Sequence, residues 1–188
     1  MGDVRWFGAG YAGLGGFFAI EGAIREPGSA ASLDASRDDA GTTRAIVTAG
    51  AITVLLAPLL GSLPLPRLPR ATGPLGVSME VAGLGLRVWS MRTLRTAYTR
   101  TLQTASEQAT VERGPYGLIR HPGYLGSLLV WVGFGLTSRS PAAVALVGGL
   151  LGRAYGRRIR AEERLLERDL PGYAAYARRT RRLIPFVW

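Results

Sequence analysis

Gly114-Pro115-Tyr116-Gly117-Leu118-Ile119-Arg120-His121-Pro122-Gly123-Tyr124-Leu125-Gly126 holds the only histidine of the chain and runs directly into an apolar segment. Pro122 fixes its own φ and lacks an N–H, so it suits the first turn of a helix, and Gly114-Pro115 marks a turn just upstream. Arg120 and His121 are thereby set at the mouth of that helix, where unpaired N–H groups and the positive end of the dipole favour an anion. Tyr116 and Tyr124 add donors around the same point. The stretch reads as a socket for a small polar anion at the edge of an apolar body. Its plainer alternative is a helix start beside two interfacial tyrosines, and only a second motif far down the chain separates the two readings.

The 188 residues suffice for one domain or a compact bundle, and a net charge of +10 would ordinarily suggest a nucleic acid or an acidic surface. Its distribution argues otherwise. Every basic residue is arginine, gathered in short runs between apolar segments, as in Arg92, Arg95 and Arg100 or Arg178, Arg179, Arg181 and Arg182. That is the pattern of membrane flanks, with the bilayer and not nucleic acid as the partner. There is no cysteine and one histidine, so no thiolate chemistry is available and no metal site is expected. The N-terminal apolar stretch begins after Asp3 and Arg5 and carries no convincing cleavage site, so it reads as a retained span.

The hydropathy pattern predicts an all-α polytopic membrane protein with about five transmembrane helices. Trp6 to Ile24 forms the first, with Ala9, Ala12, Gly13 and Gly16 as a small-residue face for close helix approach. Arg44 to Leu63 forms the second, with Pro58 as a kink, and Gly73 to Leu94 the third. Glu80 and Arg87 fall inside the third, seven residues apart and on nearly one face, which predicts a buried pair or a substrate contact. Thr96 to Arg113 reads as a loop or interfacial helix. The fourth span runs from Pro122 to about Leu136 and the fifth from Ala142 to about Tyr155. Gly148, Gly152 and Gly156 line the fifth at four-residue intervals, which predicts a tight hairpin between the last two.

After that hairpin comes Arg157 to Leu170, a charged helix ended by Pro171-Gly172. Arg158 and Glu162, four apart, share a face, while Glu163 is turned about 100° away, so the two carboxylates are expected to play different parts. Ile159, Leu166 and Leu170 make a narrow apolar stripe. The bland alternative is a solvated helix laced with ion pairs. Tyr173 to Arg182 forms a last short helix with an arginine-rich face. Counting arginines puts this end, the Glu26–Thr43 loop and the Thr96–Arg120 loop on the cytoplasmic side of the cytoplasmic membrane, with the N-terminus outside and the active site facing the cytosol.

Taken together, Gly114, Tyr116, Arg120-His121-Pro122, Tyr124 and Gly126, a helical hairpin, then Arg158, Glu162-Glu163, Tyr173, Tyr176 and Leu183-Ile184-Pro185 resemble the isoprenylcysteine carboxyl methyltransferase family and its prokaryotic relatives. The likeness runs from about Gln108 to Pro185. Residues 1–107, with about three spans read from hydropathy, carry no signature of it; what it implies is a methyltransferase core in 108–188, with cytosolic C-terminal helices forming the cofactor site. The implied activity is an integral membrane methyltransferase that uses S-adenosyl-L-methionine on a lipophilic, isoprenoid-like small molecule. Tyr116, Arg120, His121, Pro122, Gly123, Tyr124 and Glu162 would bind the cofactor, with Gln108 and Val111 along it and Arg158 orienting the acceptor. Gln108 stands where some relatives carry histidine, and Leu170-Pro171-Gly172-Tyr173 departs from the family's Phe-Gly spacing.

The chemistry suits that implication. A carboxylate acceptor needs no base, and Arg158 can hold it in a two-pronged hydrogen bond. An amine, phenol or thiol must lose a proton, and Glu163 is then the nearest candidate base. Two rivals remain at this point: a membrane reductase of the sterol-reductase type using NADPH, and a non-enzymatic membrane scaffold.

Overall fold

The computed structural model describes residues 2–23, 39–94 and 110–184, which form six helices and one isolated backbone bridge. These are α1 (Gly2–Ala23), α2 (Thr42–Ser62), α3 (Thr72–Leu94), α4 (Pro122–Thr137), α5 (Pro141–Asp169) and α6 (Tyr173–Arg179), with a short 3-10 turn at Gly114–Gly117. The Thr96–Arg113 segment falls largely, and Gln108 and Pro185 entirely, outside the described residues. So does most of the Glu26–Thr43 loop.

The seam between α3 and α4 is the largest helix interface, and its closeness has a local cause. Gly83 faces Gly126 and Gly76 faces Gly133, so that a Cβ on Gly83 would stand 2.5 Å from the Gly126 carbonyl and one on Gly76 2.5 Å from that of Gly133. Backbones meet here with no side chain between them, which gains dispersion contact where apolar lipid supplies no hydrophobic drive. The small face of α1 packs across the seam, Gly10 on Thr137 and Gly13 on Glu80. A second pair, α2 with α5, closes the bundle, and Gly50 of α2 receives the Trp131 ring of α4. Phe134, Val130, Val147 and Leu151 are fully buried between the two pairs.

Three sequence expectations are corrected. The fifth span and the charged helix are one uninterrupted 29-residue helix, α5, because nothing between Tyr155 and Arg157 breaks the backbone ladder. Its glycine stripe seats no partner helix: Gly148 and Gly152 have no atom within 4 Å of an added Cβ, Gly156 meets only Arg160 of α5 itself, and α4 meets α5 instead through Gly135 against Val144 and Val147. Glu80 and Arg87 are not a pair. Arg87 bridges to Glu21 of α1 and donates to the Gly123 carbonyl (3.0 Å) and Ser127 Oγ (2.8 Å), whereas the Glu80 carboxylate is buried against Gly13 without a hydrogen-bond partner among the described residues. The seven-residue spacing spreads the two over two turns, and Arg87 finds the nearer acid on a neighbouring helix.

Of the described helices, α2 alone is both long and apolar enough to cross a membrane, and α4 is apolar but shorter. Outward-facing Val47, Leu55 and Leu59 on α2 and Val81 and Trp89 on α3 leave an apolar girdle. One end of the bundle gathers the end of α1, the start of α2, the end of α3, the start of α4 and the charged half of α5. All the polar side-chain contacts described next are at this end.

The seam and the stripe predict opposite outcomes for one substitution. Gly83→Ala should cost about 1–3 kcal/mol by overpacking although alanine favours helix. Gly152→Ala should be neutral or slightly stabilising. Thermal unfolding of the two purified variants distinguishes them; equal melting temperatures would contradict the assigned seam.

Candidate functional site

The 3-10 turn at Gly114–Gly117 starts from Gly114 at φ 59, a left-handed value that glycine tolerates. It delivers Arg120 and His121 to the start of α4, where His121 is the N-terminal flanking residue and Pro122 the first helical one, as the sequence predicts. The returning C-terminal segment docks on this turn through backbone. Arg120 N–H donates to Arg181 O (2.7 Å) and His121 N–H to Arg182 O (3.0 Å). The Tyr176 hydroxyl donates to the Tyr116 carbonyl (2.6 Å), and Arg120 Nη1 donates to the carbonyls of Ala177 (2.7 Å) and Thr180. The Leu170-Pro171-Gly172 departure resolves into a turn in which Gly172 takes φ 83 and Tyr173 is driven inward to 3% exposure.

Two charge clusters result. In the first, the Glu163 carboxylate accepts from Arg120 Nε (2.8 Å) and Arg182 Nε (2.7 Å) and lies 3.4 Å from His121 Nε2. Burial alone would raise its pKa, but the hydrogen bonds from His121, Arg120 and Arg182 outweigh it and hold the carboxyl at about 2. A carboxylate so stabilised is a weak proton acceptor, which suits Glu163 to fixing the two arginines and the imidazole and not to general-base work. In the second cluster the Tyr124 hydroxyl donates to Glu162 and accepts from Arg158 Nε (3.0 Å), while Arg158 Nη1 donates to Asp39 and to the hydroxyls of Thr42 and Thr43 (each 3.1 Å). The His121 and Tyr124 rings stack at 5.7 Å and join the clusters. The two adjacent carboxylates of α5 thus face different partners, as the helical period requires.

The structure brings Tyr116, Arg120, His121, Pro122, Gly123, Tyr124, Arg158, Glu162 and Glu163 to one end of the bundle; Val111 is half-buried on the approach to the turn. Sequence reasoning missed Arg182, read only as part of an arginine-rich face, and gave Arg87 the wrong partner; its hold on the Gly123 carbonyl ties it to the first turn of α4. Asp39 was missed too. Its one signal is an Asp three and four residues ahead of Thr42-Thr43 at the start of an apolar run, a pattern of helix starts.

An amino-acid end, carrying a carboxylate and an ammonium, needs cationic donors and a carboxylate a few ångströms apart. The first cluster holds two guanidiniums and a histidine against one carboxylate, and the second offers Glu162. The Tyr173 hydroxyl is buried and makes no hydrogen bond among the described residues. Burial, and next the negative charge of Glu163, raises its pKa, so it stays a neutral donor. Such a hydroxyl costs about 1–3 kcal/mol until it finds a partner. The donor set therefore offers both charges that a zwitterionic amino-acid end requires.

The sequence model of the isoprenylcysteine carboxyl methyltransferase family matches residues 76–168. The cobalt-zinc-cadmium resistance protein CzcN of Cupriavidus metallidurans is 35% identical over 113 residues, covering 60% of this chain and 47% of its own length. Protein-S-isoprenylcysteine O-methyltransferase B of Arabidopsis thaliana is 29% identical over 115 residues, covering 60% and 58%. The chain spans about half the length of the curated relatives it matches. In fold it is similar to a eukaryotic intramembrane Ras methyltransferase, an isoprenylcysteine carboxyl methyltransferase, at a TM-score of 0.67 and 19% identity over 100% of this chain and 68% of that one.

Glu163 sets an acid limit. Its folded pKa lies below its ordinary 4.5, so the stability it contributes is complete above 4.5 and disappears as pH falls towards 2. Melting temperature should drop across that window, and Glu163→Gln should flatten the drop while lowering the melting temperature at neutral pH. A Gln variant with the wild-type acid profile would remove the assigned role.

Proposed function

We propose a methyltransferase, from the premise that residues 76–168 belong to the isoprenylcysteine carboxyl methyltransferase family. The protein is an integral membrane enzyme that uses S-adenosyl-L-methionine to methylate a lipophilic acceptor. The single observation carrying this reading is the meeting of the Arg120-to-Tyr124 turn with the Glu162-Glu163 pair, residues about forty apart in the chain, through His121 and Tyr124.

Bound S-adenosyl-L-methionine supplies an electrophilic methyl on a sulfonium. The chain's part is alignment, charge matching and exclusion of water, the main demands of an in-line displacement. Arg120, His121 and Arg182, pre-set by Glu163, present the positive side for a carboxylate. Glu162, oriented by Tyr124, presents the negative side for an ammonium, and Tyr173 supplies a donor between them. Tyr116, Pro122, Gly123 and Val111 would line the side of the cofactor's amino-acid end, and Gln108, which lies outside the described residues, is assigned to it by resemblance alone. Arg158 orients the acceptor. With Glu163 committed to its three donors, an acceptor that needs no deprotonation suits the site best, and a carboxylate is the natural one.

The apolar girdle and the arginines at the site end support about five membrane-spanning helices in the cytoplasmic membrane, with the N-terminus outside and the site at the cytosolic face. The acceptor then enters from the bilayer between helices. The name of one relative, CzcN, concerns resistance to metals. Among the described residues no three His, Cys, Asp or Glu side chains converge where a cation would sit.

Purified protein titrated with S-adenosylhomocysteine should gain thermal stability, and NADPH should leave it unchanged. Stabilisation by NADPH instead would favour a reductase, and no response to either a scaffold. In membranes given methyl-labelled cofactor, Arg158→Ala and Glu162→Ala should each abolish labelling of the lipid fraction while the protein still inserts. Full turnover in either variant would cancel that residue's role.

A further inference from the structure

We propose that the cleft between the start of α2 and the outer face of the charged half of α5 holds the phosphate of an anionic membrane lipid. The proposal rests on the membrane placement above and not on methyl transfer. The cleft, of about 230 Å³, is walled by Ala40 and Thr42 on one side and by Arg157, Arg160, Ala161 and Arg164 on the other. At spacings of three and four residues the arginines stand in one row along the helix, and all three are exposed.

Like charges at those spacings destabilise a helix. Among the described residues no acid forms an ion pair with Arg157, Arg160 or Arg164. The neighbouring carboxylates have other partners. Asp39 accepts from Arg158, Thr42 and Thr43, Glu162 from Tyr124, and Glu163 from Arg120 and Arg182. Glu167, three residues past Arg164, makes no ion pair with it. The first turn of α2 brings the positive end of a 21-residue helix to the opposite wall. Three guanidiniums on one wall and a helix N-terminus on the other suit a phosphate, whose oxygens match the guanidinium fork.

The height of the cleft selects a lipid over a soluble phosphate. One wall is the first turn of α2, the helix long and apolar enough to span a bilayer. On the other wall, the apolar sequence of α5 gives way to charge between Arg153 and Arg157. Arg160 lies back along α5 towards that apolar half, with Nη1 3.7 Å from where a Cβ on Gly156 would stand. Where apolar helices end, the headgroup layer begins, and cationic side chains at that depth draw anionic lipids.

Native mass spectrometry of the full chain purified in detergent reads this directly. Dioleoyl-phosphatidylglycerol should be retained as a single bound lipid, and dioleoyl-phosphatidylcholine should bind at least about tenfold more weakly. Arg157→Gln with Arg160→Gln should weaken phosphatidylglycerol binding about thirtyfold, from about fivefold for each arginine at a membrane surface. Arg178→Gln with Arg181→Gln removes the same charge outside the cleft and should change binding by less than about threefold. If the first double variant fails to fold, Arg164→Gln alone should weaken binding about fivefold, and unchanged binding there overturns the proposal. Equal retention of the two lipids, or equal weakening by the two double variants, overturns it as well. Inorganic phosphate at the concentration of the lipid should leave the lipid in place; displacement would assign the cleft to a soluble phosphate and overturn the lipid assignment. S-adenosylhomocysteine titrated into the same samples keeps the two readings apart. Cofactor binding without lipid preference rejects this proposal alone, and lipid preference without cofactor binding rejects the methyltransferase reading alone. Recovery of the chain in the soluble fraction rejects the membrane placement and this proposal with it.

Discussion

A single buried carboxylate ties the ends of this site together. Glu163 takes Arg120 and His121 from the start of α4 and Arg182 from the returning C-terminal segment, so two stretches separated by the whole α4–α5 pair share one acceptor. Charged groups removed from water need such satisfaction, since an unpaired one would be strongly destabilising. Once Glu163 is placed by α5, the turn at Gly114–Gly117 and the backbone contact of Arg120 and His121 with Arg181 and Arg182 follow with little freedom. The division of labour between neighbouring carboxylates follows too. Glu163 is held by three donors of the turn and the returning segment, and Glu162, one residue earlier, faces Tyr124.

Behind this polar corner stands a seam made almost without side chains. The α3–α4 contact at Gly83–Gly126 and Gly76–Gly133 fixes how deep α4 begins, and Arg87, reaching from α3 to the Gly123 carbonyl, ties the first turn of α4 to the same frame. Glu21 balances that arginine from α1. The helices whose sequences carry no recognisable signature therefore still bear on the site, through close backbone approach and through Asp39 and Glu21 as counter-charges.

Much of this was readable beforehand, and the unread part has a common cause. Helix positions were clear because apolar runs, proline at the start of α4 and Pro171-Gly172 after α5 act locally. The family resemblance was visible because its residues are fixed in order and spacing. What escaped involves long-range choice among chemically equivalent partners. Nothing local says that Arg87 pairs with Glu21 and not Glu80, that Arg182 rather than Arg178 reaches Glu163, or that the glycines of α5 face outward while those of α3 and α4 face each other. A small-residue stripe states only that close approach is permitted. The division of α5 near Tyr155 into a span and a charged helix rested on a change in polarity, and polarity changes along a helix need not interrupt it.

That uninterrupted α5 has a mechanical meaning. At about 1.5 Å per residue its 29 residues make a rod some 40 Å long, with Ser140 and Pro141 at one end and Arg158, Glu162 and Glu163 near the other. No hinge separates the part that sits among apolar helices from the part that carries the charged side chains. In the membrane setting proposed above, any vertical displacement of the bundle relative to the lipid surface would be passed undiminished to those three side chains, and the thickness of the surrounding bilayer would become a determinant of their height above it.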